Sequence, residues 1–196
     1  MRKAEMRRQT SETNITVSTC LDGAGESKIS TGIGFFDHLL ASMARFAFYD
    51  ILINCVGDLK VDTHHTIEDV AITLGQAIKN AAGDKAHIIR TAHAYFPMDD
   101  ALVFCALDFC DRAFLRFDTF NRQIECGGIT MQLCEEFFLS LCRNAGITMH
   151  ISVMHGKNDH HILEALFKAA GKALGEAVRQ DPRVTGVHST KGTLDR

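Results

Sequence analysis

His64-His65-x-x-Glu68 and His160-His161-x-x-Glu164 are one pattern written twice, 96 residues apart in a chain of 196. Imidazole and carboxylate are donors for divalent transition ions, and on a helix positions i and i+4 share a face. His64 with Glu68, and His160 with Glu164, can therefore each grip one ion. The second histidine of each pair sits about 100° further round the helix and must find its partner elsewhere. A single His-x-x-x-Glu is most often an ordinary surface hydrogen bond. Two copies at one offset, each led by a doubled histidine, point instead to a shared two-metal centre. The donors are nitrogen and oxygen with no thiolate, which disfavours a structural cysteine-type zinc site and suits Mn, Fe, Co or Zn.

The elements that must position these donors repeat with them. At the same offset Gly75, Ala77 and Ala81 meet Gly171, Ala173 and Ala177. Val70, Leu74 and Ile78, and Leu163, Leu166, Phe167 and Leu174, form apolar stripes at helical spacing and predict helices over about 64–81 and 160–179. Glycine inside a helix costs about 1 kcal/mol relative to alanine, so Gly75 and Gly171 at one register suggest close helix–helix approach. Asp62 and Asp159, beside the histidine pairs, could orient imidazole N–H groups, but helix N-capping is the simpler role for both.

Each metal helix follows a strand-like stretch, about 50–56 and 147–154, and before that an earlier helix, about 35–48 and 130–145. With a slip of two residues these earlier helices also correspond, placing His38 opposite Glu136. Quasi-twofold logic then sorts eight donors into two sets: His64, Glu68, His161 and Glu136; and His160, Glu164, His65 and His38. Further strands are expected at 15–20, 101–108 and 113–117. The whole reads as a duplicated α+β half-domain, 1–86 and 87–182, with a polar tail over 183–196. The basic residues at positions 2, 3, 7 and 8 read as the solvated face of a strand.

Bulk properties narrow the setting. A net charge of −3 argues against general nucleic-acid binding, which needs a basic face. Seven cysteines without a Cys-x-x-Cys pair fit a reducing compartment and apolar packing. No apolar run approaches the length of a bilayer span and the charged start lacks a secretory core, so a cytoplasmic protein is expected.

Further motifs occur in order along the chain: Gly34-Phe35-Phe36-Asp37-His38, Gly57-Asp58-Leu59 ahead of the first histidine pair, Pro97-Met98-Asp99-Asp100-Ala101-Leu102, Asn158-Asp159 ahead of the second, and Ser189-Thr190-Lys191-Gly192. Together they resemble the imidazoleglycerol-phosphate dehydratases of histidine biosynthesis. The resemblance implies two four-stranded mixed sheets sandwiching a four-helix layer, and a 24-mer built from trimers. It implies two Mn(II) ions per active site, formed between subunits, and conversion of D-erythro-imidazole-glycerol phosphate to imidazole-acetol phosphate. It further implies Glu12 as the substrate-contacting general base, with Glu68 and Glu164 as alternatives, and places Asp99 beside the imidazole. Arg90, Arg112, Lys168, Ser189, Thr190 and Lys191 match its phosphate-binding positions. The chain departs from the pattern at Glu136, where many members have histidine, and at Ser42, Phe46 and Ala92. Asp111 is also unusual, setting a negative charge next to Arg112. The same donors would also suit a di-metal hydrolase of a phosphate ester, or an assembly glued by metal without catalysis.

Overall fold

The computed structural model describes residues 1–119 and 123–194. Strands β1 (Lys3–Gln9), β2 (Thr13–Cys20) and β3 (Ser27–Ser30) precede helix α1 (Gly34–Ala47), strand β4 (Asp50–Gly57) and helix α2 (His64–Ala82). Then come β5 (Thr91–Met98), β6 (Ala101–Asp108), β7 (Phe114–Asp118), a short β8–β9 hairpin (Glu125–Cys126, Ile129–Thr130), α3 (Met131–Ala145), β10 (Thr148–His155) and α4 (Asp159–Val178).

Two four-stranded sheets result, ordered β1-β2-β4-β3 and β5-β6-β10-β7. Both contain two antiparallel pairings and one parallel pairing, between β3 and β4 in the first and β7 and β10 in the second. The period-2 alternation expected of a half-buried strand is plain in β6, where Ala101, Val103, Cys105 and Leu107 are buried and their neighbours are not. Helices α1 and α2 cover the first sheet, α3 and α4 the second, and α1 packs on α4 as α2 packs on α3. The four helices thus lie between the sheets, around one apolar core.

The glycines mark where the helices close. A Cβ on Gly171 would lie 2.3 Å from the Met43 carbonyl oxygen of α1, and one on Gly75 would lie 2.9 Å from the Leu141 carbonyl of α3. Helix backbone touches helix backbone at both places, which fixes how the histidine-bearing ends meet. Gly171→Ala should therefore destabilise by about 1–3 kcal/mol through overpacking. A melting temperature lower by roughly 3–10 °C is expected in calorimetry, and an unchanged melting curve would mean that the helices can separate freely.

Several expectations need correction. Arg2 and Arg8 are not on a solvated face: Arg2 chelates Asp22 and reaches the Val178 carbonyl at 2.6 Å, and Arg8 pairs with the buried Asp69 at 2.8 Å. Asp62 is not the N-cap of α2, which is Thr63; from one residue earlier it accepts the His64 N–H at 2.8 Å. At α4, Asn158 caps by accepting from His161 N–H at 3.3 Å, and Asp159 instead receives the Glu125 N–H. The tail folds back on 86–90: Ala86 bridges Val187, and His87 N–H donates to the Gly186 carbonyl at 2.7 Å. Residues 195 and 196 lie outside the described residues.

Candidate active site

Helices α1 and α4 bring three donors to one point. His38 Nε2 lies 3.2 Å from Glu164 Oε1, and His160 Nε2 lies 3.5 Å from Glu164 Oε2. One ligand atom from each residue falls within 4.8 Å of the others, a spacing that one cation can occupy. The Phe35 ring flanks both imidazoles. Glu164 is only 8% exposed, and Lys168 Nζ also holds its Oε1, at 2.8 Å. Burial is the strongest influence on this carboxyl and pushes its pKa up, but Lys168 and His38 outweigh it and leave the pKa below its usual value. Two imidazole nitrogens and an ionised carboxylate, with no thiolate among them, fit a divalent transition ion. Cys126 Sγ lies behind His160, 3.9 Å from Nδ1, opposite the nitrogen that faces Glu164.

On the other helix pair, His64 Nε2 lies 3.7 Å from Glu68 Oε2. Glu136, on α3, accepts from Ser140 at 3.2 Å. Among the described residues, only the His38 cluster brings three donors together. The two four-donor sets expected from the repeat are therefore not assembled within a single chain. The cause is helix geometry: successive residues diverge by about 100°. The rings of His64 and His65 stand 6.1 Å apart at 86°, those of His160 and His161 6.1 Å apart at 84°.

His65 and His161 face carboxylates of their own chain instead. His65 Nδ1 meets Asp58 Oδ2 at 3.0 Å, and its Nε2 is 3.7 Å from Glu12 Oε1. The hydrogen bond to Asp58, with Glu12 nearby, raises the His65 pKa. His161 Nδ1 meets Asp100 Oδ1 at 2.6 Å, and its Nε2 is 3.4 Å from Asp99 Oδ2. The tight turns β1–β2 and β5–β6 thus each present one acid, Glu12 or Asp99, to the second histidine of a pair.

A separate cleft of about 620 Å³ is lined by Arg90, Arg112, His188, Ser189, Thr190 and Lys191. Arg90 is held there by Asp108, at 2.7 and 2.9 Å, and donates to the His188 carbonyl at 2.6 Å. Asp108 neutralises much of Arg90, so Arg112 and Lys191 bring the charge an anion would meet. Lys168 is not in this cleft. It lies on Glu164, near the Phe46 and Phe96 rings and Met98 sulfur. Asp111 does not burden Arg112 as expected: it is turned onto Lys85 and, at 3.3 Å, onto Lys79. A second concavity of about 610 Å³, on the outer face of the first sheet around Glu5, Ser18 and Lys28, gathers none of the histidines. Asp58, Asp100, Asp108 and His188 were not singled out by type or spacing, although the first two stand inside the motifs quoted above.

Known proteins place this arrangement in a family. The family model for imidazoleglycerol-phosphate dehydratase matches residues 31–174. A relative of that name from Acetivibrio thermocellus is 50% identical over 193 residues, covering 98% of this chain and 99% of the relative. Another, from Desulfitobacterium hafniense, is 50% identical over 194 residues, 99% of each. The crystal structure of IGPD from Pyrococcus furiosus in complex with (S)-C348 aligns with a TM-score of 0.82 at 36% identity, over 96% of this chain and 99% of that one. Imidazoleglycerol-phosphate dehydratase from Staphylococcus aureus aligns with a TM-score of 0.79 at 34% identity, over 91% and 100%. Alike in sequence and in fold over nearly its whole length, the chain belongs to the imidazoleglycerol-phosphate dehydratase family.

Proposed function

We propose that the protein dehydrates D-erythro-imidazole-glycerol phosphate to imidazole-acetol phosphate, in cells that make histidine, at an active site holding two divalent ions, Mn(II) by family likeness. The observation that carries this reading is the convergence of His38, His160 and Glu164 within 4.8 Å in a member of that family. His64, Glu68 and Glu136 are the proposed counterparts on the other helix pair. His65 and His161, set about 100° round their helices from His64 and His160, are proposed to complete the sites of neighbouring subunits in a trimer-based 24-mer. The matching strand orders support duplication of half-domains near 1–86 and 87–182, with tail 183–196 serving the phosphate.

Held by His38, His160 and Glu164 and by their proposed counterparts, the ions would supply Lewis acidity that favours the anionic form of the substrate's ring, and that form would assist loss of the neighbouring hydroxyl. The chain's own residues do the rest. Glu12, on its turn beside His65, takes the proton from the next carbon, leaving an enol that tautomerises to the ketone. Asp99 lines the imidazole side. Arg90, Arg112, Ser189, Thr190 and Lys191 hold the phosphate with charged and hydroxyl donors. Lys168 acts from the imidazole side, keeping Glu164 ionised between its two histidines. Seven free cysteines, most of them buried, suit the cytoplasm; burial pushes Cys134 and Cys142 up to about 12, leaving inert thiols. No helix among the described residues is long and apolar enough to cross a membrane.

Product analysis tests the reaction. The account predicts a ketone with its phosphate attached, seen as ultraviolet absorbance after alkali. Release of orthophosphate would identify a hydrolase instead. Arg112→Ala should lose about 1.5–3 kcal/mol of binding, roughly 10- to 100-fold, chiefly in KM. Steady-state kinetics showing an unchanged KM would remove Arg112 from the phosphate site.

A further inference from the structure

We propose that Asp58 and Asp100 are positioning residues: each fixes the ring of the second histidine of a pair, His65 or His161, with Nδ1 carrying the proton and the Nε2 lone pair, on the side of Glu12 or Asp99, presented to a metal ion. This rests on the reading that these histidines serve as ligands. Both acids meet the same ring atom, Nδ1, at 3.0 and 2.6 Å. An ionised carboxylate can only accept, so Nδ1 must present N–H, and the neutral ring then has its lone pair on Nε2. Metal-binding histidines are commonly held this way, and loss of the outer partner typically costs 10- to 100-fold in affinity.

The two aspartates do not come from the repeat. At the 96-residue offset Asp58 meets Met154, and Asp100 meets Ala4. Asp58 lies on the segment leading into α2, seven residues before its histidine, whereas Asp100 lies on the β5–β6 turn, 61 residues before its own. Unrelated positions thus place the same group on the same atom in both halves, which a chance surface contact would not do. Asp100 is itself locked: its Oδ2 accepts the N–H groups of Lys157 and Asn158, leaving Oδ1 aimed at His161. The first histidine of each pair differs. His64 and His160 turn Nε2 toward their helix glutamates, and His160 Nδ1 faces the Cys126 sulfur.

Asparagine discriminates tautomer control from mere packing. In Asp100→Asn the amide oxygen can keep the Lys157 and Asn158 N–H groups, which turns the NH₂ toward Nδ1. His161 must then accept there and carry its proton on Nε2, where it blocks the lone pair. Among the described residues no backbone N–H reaches the Asp58 side chain, so in Asp58→Asn the amide oxygen can still accept from His65 Nδ1, and this variant removes the carboxylate charge without reversing the tautomer. Free Mn(II) is counted by electron paramagnetic resonance during titration of chelator-stripped protein. The expected result is a 10- to 100-fold weaker affinity for both variants, with melting temperatures of the stripped proteins unchanged. Imidazole nitrogen-15 spectra of stripped Asp100→Asn should show the His161 proton moved from Nδ1 to Nε2. Variants that bind Mn(II) as tightly as the parent, with the Nδ1 proton in place, would overturn the proposal. A parent that binds no Mn(II) would overturn the ligand reading beneath it.

Discussion

Glu12→Gln lowers kcat by about 10²- to 10⁴-fold, the usual contribution of a positioned general base, while metal content and particle size stay those of the parent. Glutamine fills the same space beside the His65 ring, 3.7 Å away, but it cannot take a proton. The turn survives because its bonds are made elsewhere: Glu12 N–H donates to the Thr10 hydroxyl at 3.1 Å, and the Glu12 carbonyl accepts from Asp58 N–H at 3.0 Å. The carboxylate is exposed and at the edge of the site, where it can approach a substrate carbon, whereas Glu164 is buried and already shared among His38, His160 and Lys168. Steady-state kinetics with metal analysis and light scattering on the same sample check this. Normal turnover by the variant would move the base to Glu68 or Glu164.

Chelation produces the second large effect: activity disappears and the particle shrinks toward a small oligomer, and added Mn(II) restores both. One chain gathers three donors at the His38 cluster and directs His65 and His161 away from it. If those histidines are ligands in neighbouring subunits, the ions cross-link the assembly, and binding free energy becomes assembly free energy. Light scattering before and after chelation decides it. A particle of unchanged size that has lost its metal would mean that no ion bridges subunits.

How much of this could be read beforehand follows from the range of each signal. The histidine helices were legible because periodicity and ligand spacing act over three and four residues: 64–81 and 160–179 became His64–Ala82 and Asp159–Val178. A close helix approach at Gly171 was legible, but its partner, Met43 of α1, was not. The edge strands β1 and β5 were harder, since the half-buried Arg8 in one and the exposed Tyr95 in the other blur their alternation. Contacts between distant segments left no local trace. Asp100 finds His161 across 61 residues, and Asp111 is drawn off Arg112 by Lys85 and Lys79 from another element. The four-donor sets are not gathered in one chain for a related reason: repeat symmetry names the donors but does not say which chain supplies each one.

Anomalous diffraction from crystals grown with Mn(II) tests the central claim most directly. The account predicts two manganese peaks per active site, one bounded by His38, His160 and Glu164 and the other by His64 and Glu68, with the second histidine of a pair from a neighbouring subunit completing each. Manganese lodged elsewhere on the surface, with those imidazoles left uncoordinated, would contradict it.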